Sequence, residues 1–340
     1  MAKKINFITE IASTHNGQLN LVKFLSDAHL KTGSKFLKYQ IFKTKNLYDK
    51  KNINYKKYKT IEINFNNWKK LINNYSKKTN LILEPFDYES YIFCKQFKKK
   101  VLLKIATSET DNFDLIKDAL SNFKRIFLNI SGYSFYDVKK IIFLLKKNKF
   151  KKKIIFMYGF QAYPTRLKDL RFDLFSYLKK KNFNYGYADH TKHGISNELL
   201  NATYKSIKLG CSYIEKHICK NIAKKPHDYI SALEPEDFKN YMEKVHKLDI
   251  YKKKNLMKKQ NIFKMSKAEK IYAQIFHKQA FAKKDIYKKT FINLSDLYFL
   301  RSDFCYGIKR LEISYFTLKS KINFKKNLII DRRKIIFKKK

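Results

Sequence analysis

Glycine and proline are scarce in this chain: 8 Gly and 4 Pro in 340 residues, against about 7% and 5% of an ordinary globular sequence. Lys, Asn, Ile, Phe and Tyr crowd the rest. These are the residues of A/T-rich codons, so drift in base composition accounts for the bias. Under such drift a surviving Gly or Pro marks a backbone position that could not lose it. The prolines fall in Glu84-Pro85-Phe86-Asp87, Tyr163-Pro164-Thr165, Lys225-Pro226-His227-Asp228 and Leu233-Glu234-Pro235. Most glycines fall in His15-Asn16-Gly17, Ser131-Gly132, Gly159-Phe160-Gln161, Gly186-Tyr187-Ala188-Asp189-His190 and His193-Gly194. Function is to be sought in these islands.

Other absences narrow the class. Acidic residues are outnumbered, 29 Asp and Glu against 75 Lys and Arg, for a formal net charge of +46. Arg is rare in that excess, and the lysines are spread over the whole chain, as in Lys98-Lys99-Lys100 and Lys151-Lys152-Lys153. A nucleic-acid surface would cluster its charge and use Arg for bidentate contacts. The charge therefore reads as solvated surface that steers anionic substrates, and a nucleic-acid partner is not expected. Cys94, Cys211, Cys219 and Cys305 form no Cys-x-x-Cys pair and read as reduced thiols of a cytoplasmic protein. The first apolar run is cut by Glu10 and His15, unlike a signal peptide. No run approaches the roughly 18 uncharged apolar residues of a membrane span.

What is present is an alternation of short apolar runs and longer amphipathic ones. Strands are expected at Asn6–Ala12, Phe36–Phe42, Leu81–Phe86, Leu102–Ala106, Arg125–Ile130, Ile154–Gly159, Tyr185–Ala188 and Ser212–His217. Helices are expected at Leu19–Lys31, Trp68–Lys77, Phe113–Leu120, Val138–Lys147, Leu167–Lys180, Ser196–Leu209 and Pro235–Leu248. Eight βα units in this length predict an α/β fold, a (β/α)8 TIM barrel over residues 1–251. A doubly wound open sheet would more often carry a Gly-rich first turn, where Ser13-Thr14-His15-Asn16-Gly17 stands. Residues 252–278 read as a Lys-rich linker, and 279–340 as a small β-rich domain without a long helix.

Chemistry in such a barrel sits at the C-terminal ends of the strands. The polar residues gather there: Glu10; Lys38 and Gln40; Glu84 and Asp87; Lys104, Thr107 and Glu109; Ser131; Gln161 and Tyr163; Asp189 and His190; Glu215 and His217. Lys38 and Lys104 interrupt apolar strands. Either they snorkel to the surface or they are buried against an anion, a phosphate or carboxylate. His190 and His217 end neighbouring strands, as a metal pair or as hydrogen-bonded core histidines. Glu10 and Glu109 are general acid or base candidates, or partners of Lys38 and Lys104.

Together these residues resemble the sialic acid synthase family, whose members make N-acetylneuraminic, legionaminic or pseudaminic acid. The resemblance rests on Glu10-Ile11-Ala12 with His15-Asn16-Gly17, Leu37-Lys38-Tyr39-Gln40, Pro85-Phe86-Asp87, Lys104-Ile105-Ala106 with Glu109, and Tyr163-Pro164-Thr165. It continues through Gly186-Tyr187-Ala188-Asp189-His190-Thr191, Ile214-Glu215-Lys216-His217 and Ser231-Ala232-Leu233-Glu234-Pro235. Residues from Ala280 to Phe337 are similar to the family's antifreeze-like (SAF) domain. The resemblance implies a metal-dependent condensation of phosphoenolpyruvate with a 2-acetamido sugar aldehyde, such as N-acetylmannosamine, for surface polysaccharide. It implies Mn2+ or Mg2+ on His190 and His217, and phosphoenolpyruvate on Lys38, Lys104 and Thr107, with Ser131 and Asp189 nearby. It also implies catalytic roles for Glu109, Glu10 and Lys104, and a sugar site of Gln40, Gln161, Tyr163 and Asp228. Arg301 would enter from the partner in a domain-swapped homodimer.

The chain departs from the family pattern. Leu83 and Glu84 stand where a serine-threonine pair is usual, Ile130 and Ala188 where hydroxyls are usual, and Gln161 for an asparagine. A carboxylate beside a phosphate is repulsive, so Glu84 is expected to turn away or the pocket to be rearranged. Alternatives are a catalytically altered paralogue acting as a binding module, a basic polyanion-binding protein, or a barrel condensing phosphoenolpyruvate with a different sugar phosphate.

Overall fold

In the computed structural model of the chain, residues 5–146, 151–247, 263–304 and 306–339 are described. Residues 252–262 of the expected linker and Cys305 lie outside them. Eight parallel strands form the centre: β1 (Asn6–Glu10), β2 (Phe36–Ile41), β3 (Asn80–Pro85), β4 (Leu102–Ile105), β5 (Ile126–Asn129), β6 (Ile154–Tyr158), β7 (Asn184–Asp189) and β8 (Tyr213–Ile218). Each pairs with the next, and β8 pairs back to β1 with Glu10 opposite His217. The sheet is closed, and this is a (β/α)8 barrel. A short β9 (Ala232–Leu233) extends the β8 edge in parallel.

The helices between strands are α1 (Leu19–Thr32), α2 (Thr44–Leu47), α3 (Tyr55–Ile61), α4 (Phe65–Tyr75), α5 (Tyr88–Lys95), α6 (Phe113–Asn122), α7 (Phe135–Lys146), α8 (Asp173–Lys180) and α9 (Asn197–Lys208). Short polar side chains start several of them by accepting an orphan backbone N–H: Asn64 for α4, Asp87 for α5 and Ser196 for α9. Pro235 is the first residue of α10 (Pro235–Lys247), where its missing N–H costs nothing. The main core lies between strands and helices, with Leu37, Leu81, Leu103, Leu128, Phe156 and Tyr187 facing residues such as Val22, Trp68, Ile116 and Phe175.

Two glycines are held by the barrel's geometry. Gly159 has φ +148°, and a Cβ there would lie 1.9 Å from the Ala188 carbonyl oxygen. Gly17 has φ +79°, with the Thr60 carbonyl oxygen 2.3 Å from where a Cβ would be. Both close approaches require glycine.

The segment after the barrel differs from a plain linker. Within expected residues 252–278 lies α11 (Lys267–Phe276), capped by Ser266, whose Oγ accepts the Glu269 N–H. The C-terminal unit is built from β10 (Gln279–Ala282), β11 (Phe291–Ile292), β12 (Leu297–Leu300), α12 (Arg310–Tyr315), β13 (Phe316–Ser320) and β14 (Ile335–Lys339). β10 and β12 form one antiparallel pair, and β11, β13 and β14 a three-stranded sheet. They enclose a separate small core that includes Ala280, Ile292, Ile308, Leu318 and Ile330. This unit docks on its own barrel. Arg301 N–H donates to Leu47 O (2.8 Å), Asp49 N–H to Arg301 O (3.0 Å) and Leu311 N–H to Asp111 Oδ2 (3.1 Å). Among the described residues no helix is long and apolar enough to cross a membrane.

Candidate active site

The strand period of two decides what faces the barrel axis. The lower interior is apolar, filled by Ile8, Phe36, Ile82, Phe127, Ile155, Met157, Ala188 and Tyr213 with Leu102 against them. Two residues further along these strands the inward positions turn polar. Glu10 follows Ile8, Lys38 follows Phe36, Glu84 follows Ile82, Lys104 follows Leu102, Asn129 follows Phe127, His190 follows Ala188 and Glu215 follows Tyr213. All of these, with Gln40 and His217, line a chamber of about 50 Å³ at the C-terminal mouth. Tyr58, Phe86, Thr107, Gln161, Asp228, Tyr272, Phe276 and Arg301 complete it. Above it opens a vestibule of about 760 Å³, where Tyr163 and Asp228 meet the α11 face of Ile271, Tyr272 and Ile275.

Charge inside the chamber is dense and paired. Lys38 Nζ lies 2.8 Å from Glu10 Oε1, 2.7 Å from Glu84 Oε2 and 3.0 Å from Glu215 Oε1. Lys104 Nζ lies 2.6 Å from Glu215 Oε1 and 3.4 Å from Glu84 Oε1. Neither lysine snorkels; both are buried. Burial opposes the Lys38 charge, but Glu10, Glu215 and Glu84 hold its pKa well above the ordinary value. Glu10 accepts a hydrogen bond from Gln40 Nε2 (2.6 Å) and faces His217 Nε2 at 3.2 Å. Burial would raise the Glu10 carboxyl, yet Lys38 and His217 hold it well below the usual carboxylate range. Glu215 goes the other way: burial, with Glu10 and Glu84 adding to it, raises its carboxyl against the pull of Lys104 and Lys38.

His190 and His217 do come together, with ring centroids 5.0 Å apart and rings nearly perpendicular. The Nδ1 of each is buried without a hydrogen-bond partner among the described residues. Burial drives the His190 pKa well below its ordinary value, with His217 adding to the effect, so its imidazole is the neutral form that binds metal. No three His, Cys, Asp or Glu groups converge as a metal cage among the described residues. His217 goes the other way: against burial, Glu10 raises its pKa, so it would have to shed a proton to join His190 on a divalent ion, a partial set with other ligands from substrate and water.

Several expected residues lie elsewhere. Glu109 is outside the chamber lining and makes no pair with Lys38 or Lys104; its Oε1 accepts from Lys278 Nζ at 2.6 Å and its Oε2 from Asn112 at 2.9 Å. It borders a groove of about 860 Å³ shared with Asp87 and Arg310. Asp189 faces out of the barrel, because the residues on either side of it, Ala188 and His190, face in. There it forms a buried pair with Lys216 at 2.7 Å. Ser131 packs at a strand end, its Oγ donating to Asn129 Oδ1 (2.6 Å), and Asn129 is the one that lines the chamber. Tyr163 lines the vestibule, where its hydroxyl donates to Asp228 Oδ1 at 2.8 Å. Glu84 does not turn away; it points inward. Arg301 reaches the chamber of its own chain, stacked within 5.4 Å of the Tyr48, Phe86 and Phe276 ring centres and donating to Tyr48 Oη at 3.1 Å.

Sequence reasoning assigned no role to Glu215, Asn129, Tyr272 or Lys278. The first two occupy inward strand positions that the period of two makes readable. Tyr272 and Lys278 lie in the stretch read as linker. Tyr272 Oη donates to Thr107 Oγ1 at 3.0 Å, and Lys278 holds Glu109. The signal for α11 was Ser266-Lys267-Ala268-Glu269, a helix-start pattern.

A closed barrel with a buried, ionisable chamber at its C-terminal mouth is the architecture in which small-molecule sites are built. The chain belongs to the NeuB family, whose family model matches residues 11–258. Among curated proteins it is 26% identical over 304 residues to the N,N'-diacetyllegionaminic acid synthase of Campylobacter jejuni, covering 84% of this chain and 87% of that one. Among solved structures it resembles a spore coat polysaccharide biosynthesis protein of Bacillus subtilis, at TM-score 0.76 and 18% identity over 98% of this chain and 96% of that one. It also resembles the N-acetylneuraminic acid synthetase of Leptospira borgpetersenii, at TM-score 0.65 and 21% identity over 75% of this chain and 88% of that one.

Proposed function

We propose that the chamber joins phosphoenolpyruvate to the open-chain aldehyde of a 2-acetamido sugar, with water, giving a nine-carbon 2-keto sugar acid and phosphate. The observation that carries this reading is the convergence of Glu10, Lys38, Gln40, Lys104, His190 and His217 on one buried chamber in a barrel of the NeuB family.

Lys38, Lys104 and Thr107 would hold phosphoenolpyruvate. Gln40, Gln161, Tyr163 and Asp228 would orient the sugar, and Arg301 would take its acetamido oxygen. The bond forms from C3 of phosphoenolpyruvate to the aldehyde carbon. Water adds at C2, and the C2–O bond to phosphate breaks. Of the two water protons, one ends on the former aldehyde oxygen and the other on the released phosphate. The two chamber carboxyls are driven apart in pKa, which suits opposite duties. Glu10, held ionised by Lys38 and His217, would accept a proton. Glu215, raised by burial, would donate one. Glu109, with Ser131 and Asp189, would act from outside the chamber lining, Glu109 by holding Lys278. His190 and His217 would hold Mn2+ or Mg2+, which when bound supplies Lewis-acid polarisation of the aldehyde. A cytoplasmic homodimer belongs to the same reading, with each C-terminal unit docked on its own barrel as here rather than exchanged; sedimentation of the full chain tests the dimer.

The deciding assay incubates the protein with phosphoenolpyruvate, Mn2+ and a panel of acetamido sugars. Phosphate release matched by 2-keto acid is expected with one of them. Glu10→Gln should lower turnover by about 10²- to 10⁴-fold. Absence of phosphate release across the panel would favour a second reading, a sugar-binding paralogue without turnover, which the saturation of both lysines by carboxylates supports.

A further inference from the structure

The two chamber lysines are neutralised by the protein itself. Three carboxylates lie within 3.0 Å of Lys38 Nζ, and Lys104 Nζ meets Glu215 and Glu84. Their roles differ. Glu10 is also held by Gln40 and faces His217. Glu215 touches both lysines through one oxygen, Oε1, while its Oε2 has no hydrogen-bond partner among the described residues. Glu84 alone places a separate oxygen on each ammonium, Oε2 on Lys38 at 2.7 Å and Oε1 on Lys104 at 3.4 Å. A two-oxygen bridge between two converging cations is the contact a bound phosphate or carboxylate would make in its place.

Space leads to the same conclusion as charge. The chamber measures about 50 Å³ with Glu84 in place, whereas small-molecule sites usually run to about 300 Å³ or more. Four acidic side chains (Glu10, Glu84, Glu215, Asp228) line it with Lys38, Lys104, Arg301 and two histidines. A phosphate entering beside them would meet repulsion that the low-dielectric interior strengthens. Glu84 precedes Pro85 at the end of β3, where the chain leaves the barrel, so its side chain sits at the mouth rather than under the apolar floor.

We infer that Glu84 is a built-in counter-anion of the two-lysine subsite, holding it closed to a phosphate-bearing substrate until its carboxylate swings off Lys38 and Lys104. The inference rests on the phosphoenolpyruvate reading above. It makes Glu84 a specificity-determining residue: a substrate must compete with an anion covalently tethered inside the site, and removing that anion tightens binding.

Titration calorimetry of the full chain with phosphoenolpyruvate, and separately with inorganic phosphate, tests this on the wild type, Glu84→Gln and Glu84→Ser. Lys38 keeps Glu10 and Glu215 in both variants, and thermal melting reports whether each folds. Both are expected to bind phosphoenolpyruvate at least tenfold more tightly than the wild type, and inorganic phosphate in the same order. Equal or weaker binding by the folded variants overturns the inference. If the wild type releases phosphate from phosphoenolpyruvate and sugar while the variants' affinity is unchanged, this inference falls and the proposed function stands. If no form binds phosphoenolpyruvate, both fall. A structure of the wild type with phosphoenolpyruvate is an independent measure. There Glu84 is expected beyond about 4 Å of both ammonium groups, and a Glu84 still bridging them beside the bound ligand overturns the inference.

Discussion

Lys38 is the residue on which the chamber's charge balance turns. Its ammonium is the shared neighbour of Glu10, Glu84 and Glu215, and buried carboxylates left facing one another have no solvent to screen them. Lys38→Met should therefore cost about 3–5 kcal/mol of stability, read from urea unfolding. Adding Glu84→Gln should return part of the loss, and strictly additive effects in the double-mutant cycle would show that the pair is not coupled. Much of this was legible in the residues. Lys38 and Lys104 stand out because a charged side chain interrupts an apolar strand. Glu84 was legible as an anomaly but not in its orientation, since strand parity puts it inward while repulsion from an absent ligand argues that it turns out. Parity and the two lysines win.

At the scale of elements, α11 does the most that sequence reasoning did not anticipate. It is fastened to the barrel by Glu269, whose carboxylate accepts from Arg171 Nε (2.6 Å) and Nη2 (2.7 Å) and from the Gly132 N–H (3.2 Å). Both side chains are buried. Glu269→Ala leaves the guanidinium without its carboxylate, and a loss of about 3–5 kcal/mol is expected. Hydrogen exchange should show α11 amides losing protection before those of the barrel strands, because α11 lines the vestibule on one face and owes its docking to this pair. Uniform loss of protection would place the effect in the barrel instead. A lysine-rich composition hid the helix; its start signal is four residues long, and its reason for being ordered lies about a hundred residues away at Arg171.

For the whole molecule, pH and charge supply the tests. His15 and His29 are buried, and burial lowers both pKa values from 6.5 to about 4. The fold favours the neutral ring, so the unfolded chain takes up protons first. The stabilisation is complete above about pH 6.5 and is lost as pH falls towards about 4, at up to roughly 1.4 kcal/mol per pH unit for each histidine. Urea midpoints between pH 8 and pH 4 should follow that fall, and His29→Gln should flatten it. The net charge of +46 is dispersed, so DNA binding should be weak and vanish at moderate salt, with micromolar binding at physiological salt the contrary result. By itself the sequence determined the eight strands, their order and the inward side chains Glu10, Lys38, Gln40, Lys104, His190 and His217. Strand periodicity and the strand-end rule are local, and codon drift left them intact. Only the tertiary structure decided who pairs with whom: Glu84 with both lysines, Glu109 with Lys278, Asp189 with Lys216, and Arg301 with its own barrel. Those partners are distant along the chain, and barrel closure and docking of the C-terminal unit, which no local pattern encodes, bring them within hydrogen-bonding reach.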